Sequence, residues 1–494
     1  MIIKINGDIN RYYVQTLCMI YYPGAKFTDE WEDDGTPDLD VSVSHKDTFC
    51  EATAVATING NTYTAVKSVE YTDYHTSERS AKIAVGEVVA TVLGEIVSYK
   101  PSWGILTGVR PSKVASEYLN MGMSKTKVKK LLNTDYLVIP KKASLATEVA
   151  LTEKKIIGVP DKKDCSVYIS IPFCPSRCSY CSFVSYSSKK LLALIPEYLE
   201  RLKSDIVSNF ALIKRLGLKV KTVYIGGGTP TILTASELSE LLGTIGAQID
   251  VSTLEEYTLE AGRPDTITAD KFEIAKAYGV TRVSVNPQSL CPDVLAGIGR
   301  HHSTDDFYRA YNIAVNSGIK YINTDLIIGL PGDNFKTFSA TFDEILSLDP
   351  ANITVHTFCV KKSAEILKNG SSVYSMRGGD AGKCVDYSQI KSSQAGYIPY
   401  YMYRQKKTVG NFENVGFAKP GAEGIYNIHM MEETHSIFAI GAGAVTKLVK
   451  ISDGHEKTKI SRLFNQKYPY EYLSDNKSEE MLKEIERFYT EEVL

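Results

Sequence analysis

Asp164-Cys165-Ser166-Val167-Tyr168-Ile169-Ser170-Ile171-Pro172-Phe173-Cys174-Pro175-Ser176-Arg177-Cys178-Ser179-Tyr180-Cys181-Ser182-Phe183 decides how the rest of the chain is read. Val167 to Ile171 is a short, apolar, β-branched run, the pattern of a buried strand. Directly after it, Cys174, Cys178 and Cys181 are spaced as C-x3-C-x2-C on a loop of Pro, Ser and Arg. Three thiolates so close together suit a soft-metal or iron–sulfur centre. Three ligands on a [4Fe–4S] cluster leave one iron open, and a catalytic cluster needs an open position. Other readings stand beside this one. Structural zinc takes four ligands, usually as two closely spaced pairs, and the sequence has no second pair. Cys165 lies before the strand, and so at its far end. Cys178 and Cys181 alone would make a redox pair. Unliganded buried thiols would sit in an apolar run, which this loop is not.

Short apolar runs recur downstream at Thr222 to Ile225, Tyr257 to Glu260, Arg282 to Val285, Tyr321 to Ile328 and Ile353 to Phe358. Helical stretches lie between them, as at Pro196 to Leu216, Ala235 to Ile245 and Thr268 to Tyr278. Such alternation packs as a parallel sheet or barrel. Six units predict an α/β fold, a partial (β/α)6 TIM-like barrel over residues 161–360, with active residues at the C-terminal strand ends. An N-terminal α+β domain of unknown role is expected over 1–160. There Tyr12 to Tyr22 and Ala52 to Val66 alternate like strands, and Ser77 to Leu93 carries Ile83, Val88 and Val92 at helical spacing. The polar Gly/Pro stretch 158–164 is the expected linker. Beyond about 360 the alternation stops and Gly, Lys and Tyr dominate. Residues 361–494 are expected to form a C-terminal extension that covers the substrate. It would end in a surface helix, Ser478 to Leu494, capped by Ser478.

The 494 residues hold 56 Lys and Arg against 58 Asp and Glu, a formal charge of −2. That balance excludes a strongly basic nucleic-acid binder, so no nucleic-acid partner is expected. With 43% hydrophobic and 23% charged residues, the composition is globular rather than disordered. Nine cysteines, odd in number and unevenly spread, argue against a secreted disulfide framework. The first residues lack the apolar run of a signal peptide, and the most apolar stretch, Ile83 to Val97, carries Glu87 and Glu95. A cytoplasmic protein with no membrane span is expected.

A second motif, Tyr224-Ile225-Gly226-Gly227-Gly228-Thr229-Pro230-Thr231, ends the second predicted strand. Three glycines let a backbone approach a ligand and expose its N–H and C=O groups. No Gly-Lys-Ser/Thr follows, so this is not a P-loop. Taken with the cysteine loop, the motif resembles the signature of radical S-adenosylmethionine (SAM) enzymes. Ile171-Pro172-Phe173-Cys174 with Cys181-Ser182-Phe183 is similar to the oxygen-independent coproporphyrinogen III oxidase-like group. Tyr400-Tyr401-Met402-Tyr403-Arg404-Gln405-Lys406 and Glu413-Asn414-Val415-Gly416-Phe417 resemble its HemZ-type branch of coproporphyrinogen dehydrogenases.

The resemblance implies a [4Fe–4S] cluster on Cys174, Cys178 and Cys181, with SAM as the second cofactor. It implies that Gly226, Gly227, Gly228 and Thr229 hold the SAM amino group and that Phe183 packs near the adenine. Glu260 would meet the carboxylate or ribose side, Gln288 the ribose, and Arg300 the SAM carboxylate, which a planar guanidinium pairs well. Asp325, an acid inside an apolar strand, needs a partner such as a ligand hydroxyl or amine. Tyr168 matches the tyrosine of the family's strand motif and is the expected catalytic residue. Each residue also has a bland reading: a surface acid for Glu260, a turn residue for Gln288, a solvated arginine for Arg300, a satisfied core acid for Asp325. Ile440-Gly441-Ala442-Gly443-Ala444 resembles the family's late glycine turn. Two positions depart from the pattern: Phe183 stands where some members carry a fourth cysteine, and Ser170 where others carry His.

The implied reaction converts coproporphyrinogen III propionates to vinyls, with a one-electron donor such as flavodoxin or ferredoxin as partner. Arg110, Arg404, Lys406, Lys407 and Lys419 are candidates for the carboxylates of the porphyrinogen substrate. Tyr400, Tyr401 and Tyr403 could wall its ring plane. A haem chaperone of the same superfamily, or a radical SAM methyltransferase or haem-modifying enzyme, would carry the same SAM motifs. Against the chaperone, its usual His-Asn-x-x-Tyr-Trp segment is missing near Tyr426-Asn427.

Overall fold

The computed structural model describes residues 1–29, 35–359, 379–405, 408–451, 458–475 and 477–493. They fall into two compact units, Met1–Thr152 with Met402–Glu413, and Glu153–Tyr401 with Asn414–Leu494. None of the described helices is long and apolar enough to cross a membrane.

The first unit is built on a four-stranded sheet of β1 (Ile3–Asn6), β2 (Asp38–His45), β3 (Phe49–Ile58) and β4 (Asn61–Glu70), in that order. The Ala52 to Val66 run is a hairpin rather than one strand. Asn59 and Gly60 turn it with φ of 50° and 76°, the left-handed pair that a tight two-residue hairpin requires. Tyr12 to Tyr22 is not a strand but the helix Arg11–Tyr21. Asn10 caps that helix by accepting from the Tyr13 amide (3.2 Å), and Val14, Leu17, Cys18 and Tyr21 bury one face at helical spacing. Helix Ser77–Val97 packs on β3 and β4, where Cys50, Ala52, Ala54 and Ala56 offer a floor of small, fully buried side chains.

The second unit holds an eleven-stranded sheet. Six strands run parallel in sequence order: β5 (Asp164–Ile171), β6 (Lys219–Gly227), β7 (Glu256–Leu259), β8 (Arg282–Ser284), β9 (Tyr321–Ile328) and β10 (Asn352–Thr357). These are the six runs read from the sequence. Helices Ile195–Arg215, Ala235–Gly246, Ala269–Ala277, Thr304–Asn316 and Phe335–Ser347 connect them, three of them opened by capping boxes at Thr234, Ser303 and Asn334. The sheet continues through β11 (Ile398–Arg404), β12 (Glu413–Ala418), β13 (Ser436–Ile440), β14 (Val445–Lys450) and β15 (Lys459–Phe464), in the order β11-β12-β10-β9-β8-β7-β6-β5-β13-β14-β15. Its two edges do not pair among the described residues, so the barrel is partial, as expected.

Two expectations need correction. The alternation does not end at 360, because β13 follows helix Ile425–Glu432 and joins β5 in parallel. An antiparallel detour through β12, whose Gly-containing run is wholly buried, hides this from a reading that seeks β-branched runs. In the tail, the helix starts at Lys477 and ends at Phe488, before one π turn at Tyr489–Val493. Ser478 does not cap it. Its hydroxyl bonds Asp205 Oδ2 (2.7 Å), and Asp475 accepts from the Lys477 amide (3.0 Å).

Candidate active site

Strand periodicity gives the parallel strands two faces. Val167, Ile169, Ile171, Val223, Ile225, Tyr257 and Leu259 make one fully buried apolar face. The opposite face is polar and arranged in rows. At the N-terminal ends of the strands, Arg282 donates to Glu256 Oε2 (2.9 Å), Asn323 Oδ1 (2.7 Å), Asn352 and the carbonyls of Ala422 (2.9 Å) and Glu423 (3.0 Å). Glu256 also accepts from the amides of Ile425 (2.9 Å) and Tyr426 (3.3 Å), which start helix Ile425–Glu432. Above this floor three rings stack: Tyr224 on Tyr426 (4.6 Å between centroids, 26°), with Tyr168 beside both at 6.0 and 6.4 Å.

The C-terminal strand ends carry the rest. The cysteine loop leaves β5 and is tied at its base by Cys174 N to Tyr186 O (3.0 Å) and Tyr186 N to Pro172 O (2.9 Å). Each thiol has its own polar neighbour. Cys174 Sγ lies 3.3 Å from Thr229 Oγ1, and Cys181 Sγ 3.8 Å from Ser185 Oγ. Two guanidiniums approach Cys178 Sγ, Arg263 at 3.8 Å and Arg300 at 3.9 Å. Burial pushes the Cys174 thiol up to about 11 and raises that of Cys181, so a cationic ligand is needed to hold them as thiolates at neutral pH. Among the described residues no three His, Cys, Asp or Glu side chains converge as a set for one metal ion. A cubane offers a different iron to each thiolate, so its ligands stand further apart than those of a single ion. A donor set of three thiols beside two guanidiniums and two hydroxyls fits the cluster. Cys165 is fully buried at the opposite end of β5.

The glycine motif is pressed onto this loop. Gly228 N donates to Ile171 O (2.7 Å) and Thr229 N to Phe173 O (2.8 Å). A Cβ at Gly228 would stand 2.4 Å from Phe173 O, and one at Gly226 would stand 2.7 Å from Glu260 Oε2. Burial, the nearby Asp325 and an opposing hydrogen bond from Tyr224 leave the Glu260 carboxyl pushed up to about 8. Asp325 is not sealed in the core, as the apolar run suggested; its side chain is 21% exposed on the polar face. It accepts from Asn286 Nδ2 (2.9 Å), and His356 Nε2 is 3.8 Å away. Gln288 is held at φ 66° by its bonds to β9, and its buried Oε1 has no partner. Arg300, also buried, donates to Tyr180 OH (3.0 Å), Gly262 O (2.6 Å) and Asn286 O, and its Nε has no partner. A glycine cradle with an unsatisfied buried acceptor and an unsatisfied guanidinium N–H suits a ligand that carries both charges, as SAM does. The late turn also arrives here: Ser170 Oγ donates to Ala442 O (2.9 Å).

Phe183 stays with the site, and the candidate substrate residues lie elsewhere. Phe183 is on the cysteine loop and 69% exposed. Arg404 belongs to the first unit, buried over the Trp103 ring and donating to Leu106 O, with burial lowering its pKa to about 10. Arg110 is also in the first unit. Lys419 pairs with Asp349, and Lys406 and Lys407 lie outside the described residues. Tyr400 and Tyr401 are buried, and Tyr403 is half-buried. Sequence reasoning missed Arg263, Asn286, His356, Tyr426 and the Arg282–Glu256 floor. An arginine inside the apolar run Thr281 to Val285 was a signal of the same kind as Asp325.

Residues 168–345 match the radical SAM superfamily. The oxygen-independent coproporphyrinogen-III oxidase-like protein HemZ of Bacillus subtilis is 36% identical over 83% of this chain and 82% of its own length. The heme chaperone HemW of the same organism is 29% identical over 65% of this chain and 81% of its own. Among solved structures, the coproporphyrinogen III oxidase HemN from Escherichia coli, a radical SAM enzyme, superposes with a TM-score of 0.50 at 20% identity, over 66% of this chain and 71% of HemN.

Proposed function

Because this chain belongs to the radical SAM superfamily, in the coproporphyrinogen-III oxidase-like group with HemZ, and so uses a [4Fe–4S] cluster and SAM, we propose that it oxidatively decarboxylates coproporphyrinogen III to protoporphyrinogen IX. The observation that carries the reading is the similarity to HemZ over four-fifths of both chains. In this reading Cys174, Cys178 and Cys181 hold the cluster. Gly226, Gly227, Gly228, Thr229, Glu260, Gln288, Arg300, Asp325 and Phe183 hold SAM, and Tyr168 faces the reacting centre. When bound, cluster and SAM would supply radical chemistry that removes a hydrogen atom from a propionate side chain, with CO2 and one further electron leaving as the vinyl forms.

The chain's own groups bind and orient. Gly226 to Gly228 present backbone where a side chain would collide, Gln288 offers an acceptor, and Arg300 offers a cation. Burial and the nearby Asp325 push the Glu260 carboxyl up to about 8, so it can hold or release a proton on the polar face. The Tyr168–Tyr224–Tyr426 stack closes the space below and excludes water from it. Residues beyond 361 complete this space through Tyr426 and the turn at Ala442, which supports a substrate-covering role for that region. A flavodoxin or ferredoxin would bring the electron, and nine cysteines with no disulfide among the described residues suit the reducing cytoplasm.

Likeness to HemW supports a second reading, a haem-binding protein without decarboxylation. One anaerobic experiment separates the two. The reconstituted, reduced protein is given SAM and coproporphyrinogen III, and the products are weighed. Deoxyadenosine with protoporphyrinogen, both lost in Cys178→Ala, is the expected result. Intact coproporphyrinogen, with retention of haem added to a parallel sample, would establish the chaperone.

A further inference from the structure

Cys178 differs from the other two loop cysteines in being approached by guanidiniums rather than hydroxyls. Arg300 is one of them, a residue already placed at SAM. Arg263 is the other. It is 3% exposed and fixed from three sides. Nε and Nη2 grip both oxygens of Asp265 at 2.9 Å each, a bidentate fork. Nη1 donates to Ser176 Oγ (3.0 Å) and Ser176 O (3.3 Å), within the cysteine loop itself, and then to Cys178 Sγ at 3.8 Å. A buried arginine clamped by an acid two residues away, with Nη1 shared between Ser176 and a ligand sulfur, is built to hold one charge at one place.

We propose that Arg263 is a positioning residue that sets the reduction potential of the cluster by donating a charged hydrogen bond to the Cys178 thiolate. The inference rests on the cluster reading above. Reduction adds one negative charge to the cluster. A fixed cation and an N–H donor at a ligand sulfur stabilise the reduced state more than the oxidised one, and so raise the potential. Buried from water, the effect is screened little. Asp265 takes part of the charge but leaves Nη1 in place, so it supplies orientation rather than neutralisation.

The test is a redox titration of the full chain, reconstituted anaerobically and followed by EPR and visible absorbance, for wild type, Arg263→Gln and Arg263→Lys. With Gln the reduced-to-oxidised ratio at a fixed potential is expected to fall about tenfold, which for a one-electron couple is ~59 mV. Lys keeps the charge but cannot span both Asp265 and the sulfur, so it is expected to fall between the two. An Arg263→Gln cluster with the wild-type potential overturns the proposal. If the Gln variant takes up no iron while its circular dichroism stays native, the Lys variant decides: a lowered potential supports the assignment, an unmoved one overturns it. A wild-type chain that takes up no four-iron cluster would instead overturn the cluster reading.

Discussion

Arg282 Nε donates to Glu256 Oε2 at 2.9 Å, with the two side chains only 2% and 3% exposed, and this pair is the floor on which the site stands. Arg282 joins β8 to β9, β10 and the 422–423 carbonyls, while Glu256 holds the amides that open helix Ile425–Glu432. A buried ion pair gains little over an apolar pair of the same volume, but losing one partner strands the other charge. Arg282→Ala is therefore expected to cost about 3–5 kcal/mol. A urea midpoint of the second unit's transition equal to wild type would refute it.

Gly228 has no room for a methyl group. Its Cβ would meet Phe173 O at 2.4 Å, and both chains there are backbone that cannot swing aside. Gly228→Ala is expected to push Thr229 from Cys174 and to weaken SAM binding at least tenfold, about 1.4 kcal/mol, with the fold retained. Calorimetric titration of SAM into the reconstituted variant measures this, and wild-type affinity would show that the motif is only a turn.

Glu260 reverses the usual effect of pH on a carboxylate. Its folded-state value, about 8, lies above the ordinary 4.5, so between those values the folded chain binds more protons than the unfolded one. Stability then falls as pH rises from about 4.5 to about 8. Glu260→Gln removes that loss, so its advantage over wild type is expected to grow across the window and level off above it. Thermal unfolding of both proteins from pH 5 to 8.5 reads the slope; parallel curves would refute the shift.

The six barrel runs could be read because they are short and apolar and alternate with helical stretches, three of which open with capping boxes. The cluster loop could be read because three cysteines in eight residues have few other uses. What escaped was of two kinds. Tyr12 to Tyr22 is rich in Tyr, Val, Thr and Ile, which favour strands, while its buried set, Val14, Leu17, Cys18 and Tyr21, follows the helical period. Arg263, His356 and Tyr426 gain their places only when distant segments meet: Arg263 is 85 residues from Cys178, and Tyr426 stacks on a strand some two hundred residues earlier. Spacing along the chain carries no trace of such contacts.

His435 imposes an acid limit opposite in sign to that of Glu260. It is buried against Ser166 Oγ (2.7 Å) and the ring of His429 (4.4 Å), and burial lowers its pKa from 6.5 to about 3. Below pH 6.5 the unfolded chain takes up a proton that the folded chain refuses, so stability drops as pH falls toward 3. His435→Gln, which keeps a hydrogen-bond partner for Ser166, is expected to flatten the decline between pH 6 and 4. A decline as steep as wild type would assign the acid limit to other groups, His302 among them.

The cysteines divide by which end of β5 they occupy. Cys174, Cys178 and Cys181 sit at its C-terminal end among hydroxyls and guanidiniums, whereas Cys165 is fully buried at its start, where burial keeps it a thiol. A thiol in apolar surroundings is a small hydrophobe, and Cys165→Ala loses only a little packing. Iron and sulfide uptake is therefore expected to match wild type in Cys165→Ala and to collapse in each of Cys174→Ala, Cys178→Ala and Cys181→Ala. Loss of iron in Cys165→Ala with a native circular dichroism spectrum would make Cys165 a fourth ligand. That would close the open iron position on which radical chemistry depends, and the site would have to be read again as a structural or electron-transfer centre.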